Sequence, residues 1–315
     1  MKRIILLGLL LGMSVAHAQY PNKPIRLIVG FPPGGSADPT TRIIGAALQE
    51  QMKQPVVVEN RPGADSAIAA EQVSKMAPDG YTLMFASNSA MTAAVALRKQ
   101  APYDPLKDFT PISMVGRATV FFYVHPSVPA KTLKEFVAHA KANPGKVVYG
   151  TGNPLSILYG QQLASATGID WLHVPYKGEG PLNPDILAGR VHCSFLSTSF
   201  GVSNAKDGRL RPLAVLAEKP SPLLPDVPTI AEAGVPQVTV RQWAGLYGPP
   251  NLPREIVVRL NKEVNAALRR PDVLEKLQSY GYAAEGSTPE RLLEINRDDL
   301  ALWRRLVAEA KIPLE

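Results

Sequence analysis

Cysteine is almost absent from this chain. Among 315 residues the sequence contains one cysteine, Cys193. A single thiol cannot form an intramolecular disulfide, so the fold must be held together by its hydrophobic core. Cys193 lies in the segment 191–195 (VHCSF), which is typical of a strand. We therefore predict a buried structural thiol rather than a reactive one.

The recognised patterns of metal, nucleotide and catalytic sites are also absent. The five histidines show no zinc-ligand spacing. The sequence has no G-x-G-x-x-G fingerprint, no Walker loop and no G-x-S-x-G elbow. We expect no metal, no cofactor and no catalytic residue. A periplasmic hydrolase is the less favoured alternative, since it would require a nucleophile next to a base.

The charge pattern has no block of five or six like charges. The formal net charge of +7 is spread through the chain, so no basic stripe marks a surface for nucleic acid. We expect no nucleic-acid partner. A mild positive excess favours anionic solutes through electrostatic steering.

Long apolar runs are missing after the N-terminus. Lys2 and Arg3 precede an apolar segment at 4–15, and Ala16-His17-Ala18 forms a small-x-small cleavage site. This arrangement predicts a cleavable signal peptide at 1–18. The apolar segment is shorter than the roughly 20 residues of a membrane span. We expect a periplasmic, secreted protein that begins near Gln19.

The remaining chain alternates strand-like and helix-like segments. The first half predicts strands at 25–30, 56–59 and 81–86, and helices at 39–53 and 66–76. Asp38 is predicted to be the N-cap of the first helix. This alternation indicates βαβ units and a mostly parallel sheet.

The same alternation resumes near residue 120. The second half predicts strands at 120–124, 147–150, 171–174, 192–196 and 213–216, helices at 132–142 and 158–167, a loop at 220–236, an extended segment at 239–247, and closing helices at 254–279, broken near Pro271, and 289–311. Two similar α/β lobes follow from the repetition. We predict that 19–120 plus 240–315 forms lobe 1 and that 121–239 forms lobe 2.

Polar loops at predicted strand ends are the candidate binding residues, because open parallel sheets bind ligands beyond the carboxyl ends of their strands. In the loop 31–38, Gly34 and Gly35 permit close backbone approach, and the following helix start favours an anion. A helix-capping turn is the alternative for this loop. Ser87-Asn88-Ser89 follows the third strand and offers neutral hydrogen-bond donors.

Matching loops follow the strands of the second half. The loop 151–156 offers Thr151, Asn153 and Ser156, and ordinary loop polarity is the alternative interpretation. Tyr176 has a hydroxyl that can line a pocket, and we favour it over Lys177, because a lysine beside a glycine is usually a solvated loop charge.

Several short motifs appear in a fixed order along the chain. They are residues 30–38 (GFPPGGSAD), 58–64 (VENRPGA), 77–83 (APDGYTL), 103–105 (YDP), 108–111 (DFTP), 173–178 (HVPYKG), 224–229 (LPDVPT) and 232–234 (EAG). Together they resemble the solute-binding proteins of tripartite tricarboxylate transporters, the TctC or Bug family. The sequence departs from the family at 64–66, which is usually Ala-Gly-Gly, at 153–156 and at His192, so we expect an altered cleft.

The resemblance implies a type II periplasmic-binding-protein fold, with two α/β lobes, mixed sheets and a ligand cleft between them. It implies capture of a small carboxylate (a di- or tricarboxylate, an acidic amino acid or an aromatic carboxylate), transient docking to transporter subunits, and a monomer. A sensor receptor that signals through a membrane kinase is the alternative. The predicted ligand-binding residues are Phe31, Gly34, Gly35, Asp38, Ser87, Asn88, Ser89, Thr151, Asn153, Ser156, Tyr176 and Ser197.

Overall fold

The computed structural model describes residues 20–33, 36–309 and 314. The predicted signal peptide at 1–18 and the predicted ligand residues Gly34 and Gly35 lie outside the described residues. No helix in the described part of the chain is long and apolar enough to cross a membrane.

Strands of the described residues form two separate sheets. They are β1 (Ile25–Val29), β2 (Val56–Asn60), β3 (Thr82–Ser87), β4 (Thr110–Ala118), β5 (Val120–Val124), β6 (Val148–Thr151), β7 (Leu172–Pro175), β8 (Cys193–Ser197), β9 (Arg211–Val215), β10 (Gln242–Gly248) and β11 (Tyr282–Ala284). The first sheet has the order β11-β4-β10-β3-β1-β2, and the second has the order β7-β6-β8-β5-β9.

Helices follow most of these strands. They are α1 (Ala37–Met52), α2 (Ala67–Ser74), α3 (Ala94–Ala96), α4 (Leu133–Ala142), α5 (Pro154–Thr167), α6 (Glu179–Leu187), α7 (Thr198–Lys206), α8 (Arg254–Ala267), α9 (Pro271–Ser279) and α10 (Pro289–Glu309). A 3₁₀ turn, Ala64–Ser66, precedes α2, and a π-helical turn, Ser89–Ala93, precedes α3. The predicted break near Pro271 is confirmed, since Pro271 begins α9.

Both sheets are mixed, which confirms the predicted fold class. In the first sheet β1 pairs in parallel with β2 and β3, and in the second β6 pairs in parallel with β7 and β8. The pairs formed by β10, β11 and β5 are antiparallel. The expectation of a mostly parallel sheet was therefore wrong outside these βαβ units. The long connection to β10 lets that strand insert between β3 and β4 in the opposite direction.

Hydrophobic side chains fill both faces of each sheet. Ile25, Leu27 and Val29 of β1 pack with α1, α8 and α9 on one face, whereas Ile28 packs on the other. This alternation follows from the strand period of two. The predicted burial of Cys193 is confirmed: it lies fully buried in the second sheet, and burial raises the pKa of its thiol well above the usual value.

Most residues of the two predicted polar loops, 87–89 and 151–156, belong to strands or helices in the structure. Ser87 is the last residue of β3, and the π-helical turn begins at Ser89. Likewise Thr151 ends β6, and α5 begins at Pro154. The chain therefore passes from strand to helix with almost no loop, which fixes these side chains to rigid elements.

Candidate functional site

The carboxyl ends of parallel strands define two edges. We call the ends of β1 and β3, with the residues that follow them, the first edge; it carries Phe31, Asp38 and Ser87–Ser89. The ends of β6, β7 and β8 form the second edge, which carries Thr151, Asn153, Ser156, Tyr176 and Ser197. The twelve predicted residues thus divide between two edges, apart from Gly34 and Gly35, which lie outside the described residues.

Strand pairing brings the two edges next to each other. Ser87 at the end of β3 and Gly116 of β4 both pair with Ala244 of β10, so β3 and β4 run in the same direction to the same edge. Only Thr119 separates β4 from β5. The first residue of β5, Val120, pairs with Ser197 at the end of β8. The chain therefore steps from the first edge to the second within one residue.

Direct contacts also join the two sheets beside this crossover. The Thr198 hydroxyl donates to the carbonyl of Tyr280 at 3.0 Å, and the Thr119 amide donates to the carbonyl of Gly281 at 2.7 Å. Helix α5 lies next to the π-helical turn at 89–93. These elements of the two sheets therefore already approach each other closely.

Asp38 differs from its predicted role as a helix cap. Helix α1 begins at Ala37, and Ser36 is the N-cap without a side-chain hydrogen bond. Asp38 instead lies in the first turn, where its carboxylate accepts from the Asn60 amide at 2.8 Å and pairs with Arg42 at 3.0 Å. The side chain of Ser36 therefore makes no cap hydrogen bond to the first turn of α1.

The side chains of Ser87, Asn88 and Ser89 are buried at the first edge. The Asn88 amide donates to the carbonyl of Arg241 at 3.0 Å, while its Oδ1 atom has no partner among the described residues. The Ser87 hydroxyl accepts from the Ser89 amide at 3.3 Å. Phe31 is half-buried, and its carbonyl accepts from the Asn60 side chain at 3.0 Å. Ligand contact by these residues stays a prediction.

Thr151 links two strands of the second edge. Its hydroxyl shares a hydrogen bond of 2.7 Å with Nε2 of His173, and its carbonyl accepts from the Tyr176 amide at 2.7 Å. Burial lowers the pKa of His173, which favours the neutral ring at this position. The pair holds the ends of β6 and β7 together.

Asn153 and Ser156 form a capping box at the start of α5. The Asn153 side chain accepts from the Ser156 amide at 2.9 Å, and the Ser156 hydroxyl accepts from the Asn153 amide at 3.3 Å. The carbonyl of Ser156 also accepts a bond from the Tyr149 hydroxyl. The side chains of Asn153 and Ser156 thus already form hydrogen bonds within the cap. A ligand that contacts these residues would have to compete with those bonds or use the remaining hydrogen-bonding capacity.

Truncation of this cap should destabilise the protein. In Asn153→Ala the acceptor for the Ser156 amide is lost, and loss of an N-cap typically costs about 1 kcal/mol. Urea unfolding of the variant and the parent measures the difference. Asn143→Ala, at the C-cap of α4, is a control for loss of an asparagine side chain outside the second edge. Unchanged unfolding of Asn153→Ala would show that the cap contributes nothing.

Tyr176 is oriented by an acidic neighbour. Its hydroxyl donates to Asp185 Oδ2 at 2.6 Å, and Arg190 pairs with Asp185 at 2.6 Å. Burial and then the contact with Asp185 raise the pKa of Tyr176 to about 12. Lys177 is exposed. The preference for Tyr176 over Lys177 stays a prediction.

Sequence reasoning missed Glu179, which lies among the second-edge residues. The Ser197 hydroxyl donates to its Oε2 atom at 2.6 Å. A Cβ atom on Gly152 would lie 2.7 Å from the Glu179 amide nitrogen, so only glycine lets the turn after β6 approach the start of α6. The segment 177–180 resembles a loop in sequence, and no local pattern shows that Glu179 begins a helix.

A second missed residue is Ser66, beside the first edge. Its hydroxyl donates to the carbonyl of Gly30 at 2.9 Å. Ala64, Asp65 and Ser66 have φ angles of 47°, 54° and 72°, which is the left-handed region that glycine prefers. At 64–66, where Ala-Gly-Gly is usual in the family that the sequence resembles, this chain therefore has a left-handed backbone at three non-glycine residues.

A cavity of about 500 Å³ opens elsewhere, between the segment 95–101 and α10. Its lining includes Arg98, Lys99 and Arg304 but none of the predicted ligand residues. The two edges therefore remain the place where the predicted residues converge.

The sequence profile of TctC, the tripartite tricarboxylate transporter family receptor, matches residues 40–312. The chain belongs to this family. Its members are periplasmic solute-binding proteins that work with membrane transporter components. Bordetella pertussis BugT is 34% identical over 309 residues, covering 97% of this chain and 94% of BugT.

Solved structures of similar proteins share this fold. An R. palustris protein solved with adipate has a TM-score of 0.84 and 31% identity, covering 93% of this chain and 99% of the other. MatC from Rhodopseudomonas palustris, solved with bound malate, has a TM-score of 0.79 and 29% identity, covering 91% of this chain and all of MatC (100%). The predicted family and fold are confirmed.

Proposed function

We propose that this TctC-family protein captures a small carboxylate between the first and second edges. The observation that carries the proposal is the meeting of the two edges at Thr119, beside the starts of α6 and α7. The N-caps of α1, α6 and α7 form no side-chain cap hydrogen bond. Amide groups at a helix start and the helix dipole attract an anion without a charged partner.

Positive charge near the crossover supports an anionic ligand. Arg241 precedes β10, and the next residue, Gln242, pairs with Ala118 at the end of β4. Its Nη1 atom donates to the carbonyls of Val238 and Val240 at 2.8 and 3.0 Å, which holds the guanidinium in place. A fixed cation near the crossover suits an anionic carboxylate group.

The relatives support the ligand class, since one similar structure holds adipate and another holds malate. We propose that the receptor delivers its ligand to a tripartite transporter and catalyses no reaction.

We also propose a monomer with two lobes, each built on one sheet, which close around the ligand. Lobe 1 consists of segments 19–120 and 240–315, and lobe 2 consists of segment 121–239. Export through the signal peptide at 1–18 would place the receptor in the periplasm.

A thermal-shift screen against carboxylates tests this function. A ligand that binds only the native state stabilises it by about 2.7 kcal/mol when its concentration is a hundredfold above Kd. We expect a raised melting temperature with at least one di- or tricarboxylate or amino-carboxylate, and recovery of the compound unchanged after incubation. Failure of every carboxylate would contradict the proposal, and turnover of the compound would favour a hydrolase.

A further inference from the structure

Glu179 has an unusual position for a carboxylate in an anion receptor. It begins α6, directly after β7, and lies between the end of β8, through Ser197, and the turn after β6, through Gly152. Its side chain is mostly buried but keeps a partly exposed surface. A ligand held at the second edge would therefore contact a carboxylate.

The described residues provide no cation for this carboxylate. Ser197 hydrogen-bonds to this carboxylate through its hydroxyl and its backbone amide, and no lysine, arginine or histidine among the described residues forms an ion pair with it. The ionisable side chain that interacts with Glu179 is Tyr123 on β5, and Lys177, two residues earlier in the chain, is exposed. The Tyr123 hydroxyl is buried without a partner in the same part of the structure, and the charge of Glu179 helps to raise its pKa.

A buried carboxylate without a countercharge is costly unless a cation pairs with it or a proton neutralises it. Burial accordingly raises the pKa of Glu179 above its usual value. A second carboxylate placed beside it by a plain dicarboxylate ligand would add repulsion. A ligand ammonium group would instead supply the missing charge and a hydrogen-bond donor.

We infer that Glu179 selects ligands that carry a protonated amine as well as a carboxylate. The inference rests on the proposed function. The ligand carboxylate lies toward the first edge, and the ammonium lies toward Glu179 at the second edge. Glu179 is thus a specificity residue that rejects plain carboxylates and accepts amino-carboxylates.

Calorimetric titration with matched ligand pairs tests this inference. The pairs are succinate and aspartate, glutarate and glutamate, and pentanoate and 5-aminopentanoate. We expect the parent protein to bind the amine member of at least one pair roughly tenfold or more tightly than its partner (about 1.4 kcal/mol). In Glu179→Gln this preference should disappear, because the amide keeps the size of the side chain and a bond to Ser197 but has no charge.

The pH dependence of ligand binding distinguishes two models. In one, an ionised Glu179 binds the ligand ammonium; in the other, a protonated Glu179 donates a hydrogen bond to the ligand. Because its pKa is raised, Glu179 gains a proton as the pH falls, so affinity for the amine member should fall while affinity for the plain member rises. Glu179→Gln should remove both trends. Glu255→Gln is the matched control, since Glu255 is an exposed glutamate in the first turn of α8.

Each outcome has a defined meaning. Equal binding of both members by the parent protein, or a preference that survives in Glu179→Gln, would overturn the role of Glu179 while leaving carboxylate capture intact. Binding of no carboxylate at all would overturn the proposed function and this inference with it. If the melting temperature of Glu179→Gln is close to that of the parent, then loss of the preference for the amine member is not caused by unfolding of the variant.

Discussion

Replacing Gly152 with valine should weaken ligand binding at least tenfold. The Cβ atom of any residue at 152 would lie 2.7 Å from the Glu179 nitrogen and 2.8 Å from the Gly178 carbonyl carbon. These are backbone atoms, which cannot rotate away as a side-chain end can. The starts of α5 and α6 would have to separate, and overpacking of this kind costs typically 1–3 kcal/mol of stability.

Calorimetry with a ligand from the thermal-shift screen measures the effect of Gly152→Val. We expect affinity to fall by at least tenfold, which corresponds to about 1.4 kcal/mol. Gly180→Ala is the matched control, because a Cβ atom at 180, in the same part of the second edge, meets nothing within 4 Å. Binding by Gly152→Val with the parent affinity would show that the ligand does not depend on the contact between these two helix starts.

Replacing Asp299 with asparagine should stabilise the protein at neutral pH. Asp299 lies on α10 and accepts from Trp243 Nε1 at 3.0 Å and from the Thr92 hydroxyl at 3.1 Å. Burial raises the pKa of this carboxyl to about 6, although these bonds and the charge of Arg117 act in the opposite direction. The free carboxyl of an unfolded chain has a pKa near 3.8.

The sign of the pH dependence follows from these two values. As the pH rises from about 4 to about 6, the unfolded chain has lost the proton and the folded protein still holds it, so stability falls. The total loss is about 3 kcal/mol and persists above pH 6. An asparagine does not titrate but retains an acceptor for Trp243. The advantage of Asp299→Asn over the parent should therefore be larger at pH 7.5 than at pH 4.

Urea unfolding of both proteins at the two pH values measures this difference. Asp298→Asn is the control, because Asp298 is the exposed neighbour on the same helix and forms a surface pair with Arg297. Surface pairs of this kind contribute little to stability. An advantage for Asp299→Asn that is the same at both pH values would show that the carboxyl ionises freely in the folded protein.

Strands with continuous apolar sequences were predictable from local sequence. The segment IRLIV of β1 is buried on both faces except at Arg26, so four of its five residues are apolar. Strand β4 was missed, since Pro111, Ser113 and Gly116 interrupt its apolar pattern and its pairing with β10 shifts register twice. Helix α6 was missed because Pro181 and Pro184 within nine residues are typical of a loop.

The position of the candidate residues at two strand edges was predictable, whereas the partner of each side chain was not. Parallel strands place their carboxyl ends together, so the polar residues after β6, β7 and β8 had to share an edge. The contact between Asp38 and Asn60 depends on how α1 packs beside β2, and the contact between Glu179 and Ser197 depends on how α6 packs beside β8. Such tertiary contacts leave no local pattern.

The burial of Cys193 has a practical consequence for detecting ligands. Its thiol is inaccessible, and the raised pKa keeps it protonated and unreactive toward electrophilic dyes. Since Cys193 is the only cysteine of the chain, a surface cysteine introduced by Lys177→Cys would be the sole site of labelling. A fluorophore attached beside Tyr176 would then report ligand capture as a change in emission, without removal of any native thiol.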